Sequence, residues 1–186
     1  MRTLRGPAAL AAVLLLAACS RPAATVTDLR MPAEAHPGIA ALSTRAEVVD
    51  GDEAALPKQA ETAELLRKAG LTGSASYRYR LAPPGKGRYK VRIDLFVDEA
   101  RAQENWANRH MPEALAMTQP FAVGDQGWIW RDQMAGFRIG RAIIEIRAAD
   151  GAQGMPDFAR RYAGYAAAAL DRGGPAWWER GPLRRP

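Results

Sequence analysis

Two stretches of the chain alternate apolar and polar residues with period two. In residues 75–81 (ASYRYRL), Tyr77, Tyr79 and Leu81 fall on one side and Ser76, Arg78 and Arg80 on the other. In residues 88–97 (RYKVRIDLFV), Tyr89, Val91, Ile93, Leu95 and Val97 alternate with Lys90, Arg92, Asp94 and Phe96. This pattern predicts two half-buried strands, and the Gly/Pro-rich loop 82–87 predicts that they pair antiparallel. A third stretch, 137–148 (FRIGRAIIEIRA), changes parity midway. Phe137 and Ile139 share one face; Ala142, Ile144, Ile146 and Ala148 share the other. A one-residue slip of this kind predicts a β-bulge at Gly140 within one long strand. The alternative is a strand buried on both faces, with Ile143 inward. A short strand is expected at Trp128–Trp130, and residues 46–49 fit a strand or a helix fragment.

Helical periodicity appears in three places. Residues 58–69 put Ala60, Ala63, Leu66 and Ala69 on one face, with Pro57 at the first turn and Gly70 at the C-terminal cap. Residues 98–110 switch to helical spacing after Asp98, a suitable cap, and stop at Pro112. A last helix runs from Pro156 to about residue 170, with Phe158, Tyr162, Tyr165 and Ala169 along one stripe, and ends at Gly173-Gly174-Pro175. The order predicts an α+β fold: an antiparallel sheet of about four strands with helices packed on one face. Two degenerate helix–hairpin units followed by a C-terminal helix would produce it. The expected organisation is a signal segment at 1–18, a tether at 19–43, one domain at 44–171 and a Trp/Arg-rich tail at 172–186. Within the tether, Leu29, Met31, Ile39 and Leu42 are apolar enough to order against the domain.

The amino terminus has its own logic. Arg2 and Arg5 precede a continuous apolar run from Ala8 to Ala18. Eleven residues rise about 16 Å as a helix, half the thickness of a bilayer core, so the run reads as a signal peptide rather than a span. It ends in Leu16-Ala17-Ala18-Cys19, and Cys19 is the chain's one cysteine. This segment resembles the lipobox of bacterial lipoproteins, in which the cysteine becomes the first mature residue and carries lipid. The resemblance implies a membrane anchor through acyl chains on Cys19, which bury far more methylene than one chain does. It also implies a place in the bacterial cell envelope. Ser20 after the cysteine looks like the outer-membrane default, with the domain facing the periplasm.

Composition narrows the chemistry further. The 186 residues are 48% hydrophobic and 25% charged, which suits one domain and not a disordered chain. A lone cysteine excludes an internal disulfide framework and cysteine-based zinc clusters. Removing Arg2 and Arg5 with the signal segment leaves 24 basic against 20 acidic side chains, a net +4. That charge is ordinary for a small domain, and nucleic acid is not an expected partner of an exported protein. No G-x-S-x-G, H-E-x-x-H or Gly-rich phosphate loop occurs. An enzyme would need Asp125, Asp132, Glu145 and His110 to converge from distant segments. The expectation is a non-enzymatic adaptor or accessory subunit with no cofactor and no metal, held by membrane lipid and meeting an envelope protein partner.

The alternative is a binding module for an anionic or hydrophobic envelope ligand. From Arg78 to Arg92 there are six basic side chains and no acid. The hairpin would put Arg78, Arg80, Lys90 and Arg92 on one sheet face, with Arg138 nearby. Against that stands a solvated face whose arginines lie over Phe96 and pair with Asp94 or Glu145, or with the acids of residues 46–57. Trp128 and Trp130 would share a face, as a core cluster or as the wall of an apolar groove. In the tail, Trp177 and Trp178 are candidates for a partner or membrane contact.

Overall fold

Alternation dictates the centre of the molecule. A computed structural model describes residues 24–49, 68, 70–109 and 118–170. In it β2 (Leu71–Leu81) and β3 (Arg88–Phe96) pair antiparallel, with Tyr79 opposite Tyr89, Tyr77 opposite Val91 and Ala75 opposite Ile93. All six of these side chains are buried. The hairpin extends on both sides into one seven-stranded antiparallel sheet of order β1-β2-β3-β7-β6-β5-β4. The other strands are β1 (Ile39–Val49), β4 (Gln119–Pro120), β5 (Gln126–Trp130), β6 (Met134–Ile139) and β7 (Ala142–Ala149). The first three strands form one meander and the last four another. The two meanders meet along their final strands, β3 and β7. Helix α1 (Glu99–Arg109) follows the first meander and α2 (Met155–Ala169) the second.

This architecture overturns the four-stranded sheet with helices on one face, and the helix–hairpin units with it. Three features account for the difference. First, the parity change at Gly140 is a hairpin turn and not a bulge. Ile139 pairs with Ala142, so Gly140 and Arg141 alone make the loop, and Gly140 has φ +53°. A glycine with positive φ at the first central position is what a tight II′-type hairpin requires. One expected long strand is therefore two. Second, residues 39–49 form an edge strand along β2, eleven residues long. Third, the two helices cover opposite faces. Helix α2 lays Phe158, Ala159, Tyr162, Ala163, Ala166 and Ala167 on the face of Tyr77, Val91 and Ile144. Helix α1 puts Ala102 and Trp106 on the other face, against Leu71, Phe96 and Ile143. The expected helix 58–69 and the helix end at His110 to Pro112 lie outside the described residues, apart from Lys68 and Gly70.

Local chemistry fixes the helix starts. The Asp98 carboxylate accepts the Arg101 backbone N–H at 2.8 Å, the N-cap bond expected there. Helix α2 takes its cap from a distant turn: Asp132 accepts N–H bonds from Gly154 at 2.8 Å and Met155 at 2.7 Å. That pair ties the β5–β6 turn to the helix that crosses the sheet.

Residues 24–43, read from composition as tether, are packed over much of their length. Val26, Leu29 and Met31 are almost fully buried in the core beneath α2. A short 3-10 turn at Thr27–Leu29 presents them, and the Asp28 carboxylate closes it by accepting the Thr25 N–H at 2.7 Å and Oγ1–H at 2.8 Å. Those bonds hold the Asp28 pKa below its ordinary value. The Tyr79 hydroxyl donates to the Met31 carbonyl at 2.8 Å, and Arg141 donates to the Ala24 carbonyl. Ala24 is thereby held at the Gly140–Arg141 end of the sheet, and Met31 toward the end where β2 turns into the loop 82–87.

Candidate functional site

Register places the polar halves of the strands on the sheet face opposite α2. One row across that face reads Ser43, Arg78, Lys90, Arg147, Met134 and Trp130. The neighbouring row toward the loop 82–87 sets Arg80 directly opposite Arg88. The row on the other side reads Ser76, Arg92, Glu145, Gly136 and Trp128. Cationic side chains are therefore concentrated where β1, β2, β3 and β7 run side by side, beyond the part of the face that α1 covers.

The structure divides the sequence candidates into two groups. Arg92 lies 3.1 Å from Asp94, which is fully buried and also accepts the Ser74 hydroxyl at 2.6 Å. Arg138 is 3.2 Å from Asp125 and donates to Gln126 Oε1 at 3.2 Å and to the Gly140 carbonyl at 2.9 Å. Asp125 in turn accepts the Gly140 N–H at 2.7 Å. Both arginines are committed to holding strands and turns together. Trp128 lies flat over Gly136, where a Cβ would come within 2.6 Å of its ring, and it packs on the α1 cluster. Trp130 is half-buried at the end of the cationic row, its Nε1 enclosed without a hydrogen-bond partner among the described residues. Cys19, Trp177 and Trp178 lie outside the described residues.

Arg78, Arg80 and Lys90 form the other group. None of them has an ion-pair partner among the described residues, and neither has Arg147. Arg78 Nε is enclosed with no hydrogen-bond partner among the described residues. An open groove of about 690 Å³ runs beside them, lined by Ser43, Arg78, Arg80, Lys86, Arg88 and Asp150, among others. Its one acid is Asp150, 2.6 Å from Arg88 Nε as an ion pair, without the alignment of a hydrogen bond. Sequence reasoning counted Arg88 in the basic stretch but placed neither it nor Arg147 among the binding candidates. Arg88 was legible, since it continues the parity of Lys90 and Arg92; Arg147 comes alongside Lys90 only through the β3–β7 pairing.

The groups an enzyme would bring together are dispersed. Asp125 sits at the Gly140 end of the sheet with Arg138, Asp132 caps α2 from the β5–β6 turn, and Glu145 lies midway along β7. His110 is outside the described residues. No group of three or more His, Cys, Asp or Glu side chains suited to a metal occurs among the described residues. None of the described helices is long and apolar enough to cross a membrane.

A second hollow, of about 440 Å³, lies between the loop 82–87 and α2, beside His36, Tyr89, Gln153 and Asp157. His36 Nδ1 accepts the Gly38 N–H at 3.0 Å, and Nε2 is 3.6 Å from Asp157. Burial, and then the charge of Arg161, lower the His36 pKa against the pull of Asp157. Nearby, Tyr89 stacks on Phe158 with ring centres 4.3 Å apart and donates to the Gln153 carbonyl. Burial pushes the Tyr89 phenol up to about 12, and also raises Tyr79 and Tyr162 well above the ordinary phenol value. These phenols are neutral pieces of the core.

Comparison with protein-family models, with curated proteins and with solved structures finds no match.

Proposed function

We propose that this chain is a non-enzymatic, lipid-anchored domain of the bacterial cell envelope, acting as an adaptor or accessory subunit from the periplasmic side of the outer membrane. The observation that carries the reading is the order of the first nineteen residues: basic start, apolar run, and Leu16-Ala17-Ala18-Cys19. The packed segment adds a geometric consequence. Ala24 is bonded to the sheet through Arg141, so five residue steps separate it from Cys19. Fully extended, they reach about 18 Å. An acylated Cys19 would therefore hold the domain close to the bilayer by its Gly140–Arg141 end.

Mass spectrometry of the protein extracted from its native membranes tests the proposal. The expected mature form begins at Cys19 and carries a thioether-linked diacylglycerol. A mature form that still begins at Met1, or one that begins elsewhere without acyl chains, would overturn it. A Cys19→Ser chain is expected to lose the lipid mass and leave the membrane fraction.

A further inference from the structure

Cross-strand neighbours of like charge oppose sheet formation, because their Cβ atoms stand only about 5 Å apart and their charges share one stretch of surface. This sheet has three such pairs together: Arg80 with Arg88, Arg78 with Lys90, and Lys90 with Arg147. Asp150 relieves one corner through Arg88. The β1 residues in register beside them are Ala41, opposite Arg80, and Ser43, opposite Arg78, and neither supplies an acid. Glu47, the acid of β1, pairs with Ala75, five positions along β2 from Arg80. Among the described residues Arg78, Arg80, Lys90 and Arg147 have no ion-pair partner, so the repulsion stands at one end of the sheet, beside a groove open to solvent.

We infer that this groove binds a phosphate-bearing ligand, with Arg80 and Arg88 as the principal contacts and Arg78, Lys86 and Ser43 around them. Geometry selects phosphate over a generic anion. Guanidinium groups present paired N–H donors that match the oxygens of a phosphate, and two of them face each other here across one strand gap. Residues on the same face of a strand repeat every ~6.7 Å, so the Arg78–Lys90 pair lies that far beyond the Arg80–Arg88 pair. The long side chains of Arg78 and Lys90 are free to lean toward a phosphate held between Arg80 and Arg88 and to meet a second phosphate linked to it. The Ser43 hydroxyl at the groove wall adds a neutral donor. The inference stands whether or not Cys19 is acylated.

The test uses the full-length protein in micelles of a neutral detergent, with pyrophosphate as the probe and calorimetric titration as the readout. Saturable pyrophosphate binding is expected, weakened at least tenfold in the double variant Arg80→Ser/Arg88→Ser. Arg101→Ser, on the exposed side of α1, is expected to leave it unchanged. A thermal scan guards against misfolding of the variant. Without ligand the double variant is expected to melt within a few degrees of wild type, since the loss of a like-charge pair offsets the loss of the exposed Arg88–Asp150 ion pair. Pyrophosphate is expected to raise the melting temperature of wild type and not of the double variant. Glycerophosphoglycerol, a diester with the form of a lipid headgroup, separates the sources: tighter binding of the diester assigns a lipid, and tighter binding of pyrophosphate assigns a soluble phosphorylated ligand, either result upholding the site. Absence of saturable binding, equal affinity in the double variant, or a melting shift matched by sodium chloride of the same ionic strength would each overturn it.

Discussion

Substituting Leu29 by alanine separates a docked amino-terminal segment from a free one. Leu29 is fully buried in the core beneath α2, on the short turn that follows Thr25. The change removes three carbons from water-free surroundings, roughly 2.5 kcal/mol at about 0.8 kcal/mol per carbon. The surrounding sheet and helix are held by their own hydrogen bonds and will not close the space fully, so the cavity brings the cost to about 3 kcal/mol. In a domain of this size that corresponds to a drop in melting temperature of roughly 6–12 °C. Urea unfolding followed by circular dichroism gives the free energy directly, and an unchanged denaturant slope shows that the same surface is exposed on unfolding. Glu34→Ala, at an exposed position in the same segment, is the matched control and should stay within about 0.5 kcal/mol of wild type. If Leu29→Ala is as mild as Glu34→Ala, residues 24–31 are not part of the fold. Cys19 would then be separated from β1 by twenty residues rather than from Ala24 by five, and the geometry of the anchor would have to be redrawn.

Three further outcomes follow from the same contacts. Tyr79→Phe takes the donor from the buried Met31 carbonyl and the neighbour from the Tyr162 hydroxyl, 3.3 Å away, so urea unfolding should show a loss of about 1–3 kcal/mol; wild-type stability would mean the bond is not made. Gly136→Ala places a methyl 2.6 Å from the Trp128 ring and should cost about 1–3 kcal/mol, with a red shift in tryptophan emission as the ring is displaced. In a Trp128→Ala background the same change should be much milder, and full additivity would sink the explanation. The lowered pKa of His36 means the unfolded chain binds the proton more tightly, so its contribution to stability is complete above pH 6.5 and is lost as pH falls from there through the folded value. His36→Asn, which keeps an acceptor for the Gly38 N–H, should flatten that dependence; an unaltered pH profile would exclude His36 as its source.

The legible part of the fold was whatever announces itself within one stretch of chain. The β2–β3 hairpin follows from strict alternation, and the α1 start follows from Asp98. The Gly140 irregularity was visible too, but parity alone cannot separate a bulge from a two-residue hairpin. Both shift the apolar set by one, and what distinguishes them is the pairing of Ile139 with Ala142. Residues 39–43 (IAALS) open an edge strand with mostly small groups, so composition reads them as tether, while residues 46–49 fit a strand or a helix fragment equally well until β2 is seen beside them. The candidate site shows the same division. The parity of Arg78 and Arg80 on one strand and Lys90 on the next was readable. The commitment of Arg92 to Asp94 and of Arg138 to Asp125 depends on side-chain positions across strands and turns, and the arrival of Arg147 beside Lys90, more than fifty positions earlier in the chain, depends on the joining of two meanders.

The two proposals constrain each other through distance. If Cys19 carries the anchor, the bilayer lies within about 18 Å of Ala24, at the Gly140–Arg141 end of the sheet. The Arg80–Arg88 groove is at the opposite end of β7, roughly 25 Å away along the strand. Upright, the domain holds its cations several Debye lengths from the anchoring headgroups, where a surface potential is screened. Lowering the groove to the bilayer takes a tilt of the domain over α1, a helix 10–12 Å across that projects from that face at the anchored end. In the upright pose the phosphate that fits both pieces of geometry is one presented to the domain from the envelope space and not one belonging to the lipids beside its own anchor. On this reasoning pyrophosphate should outcompete the headgroup diester, and the opposite order would mean that the domain tilts onto its cationic face or is held by some other part of its surface.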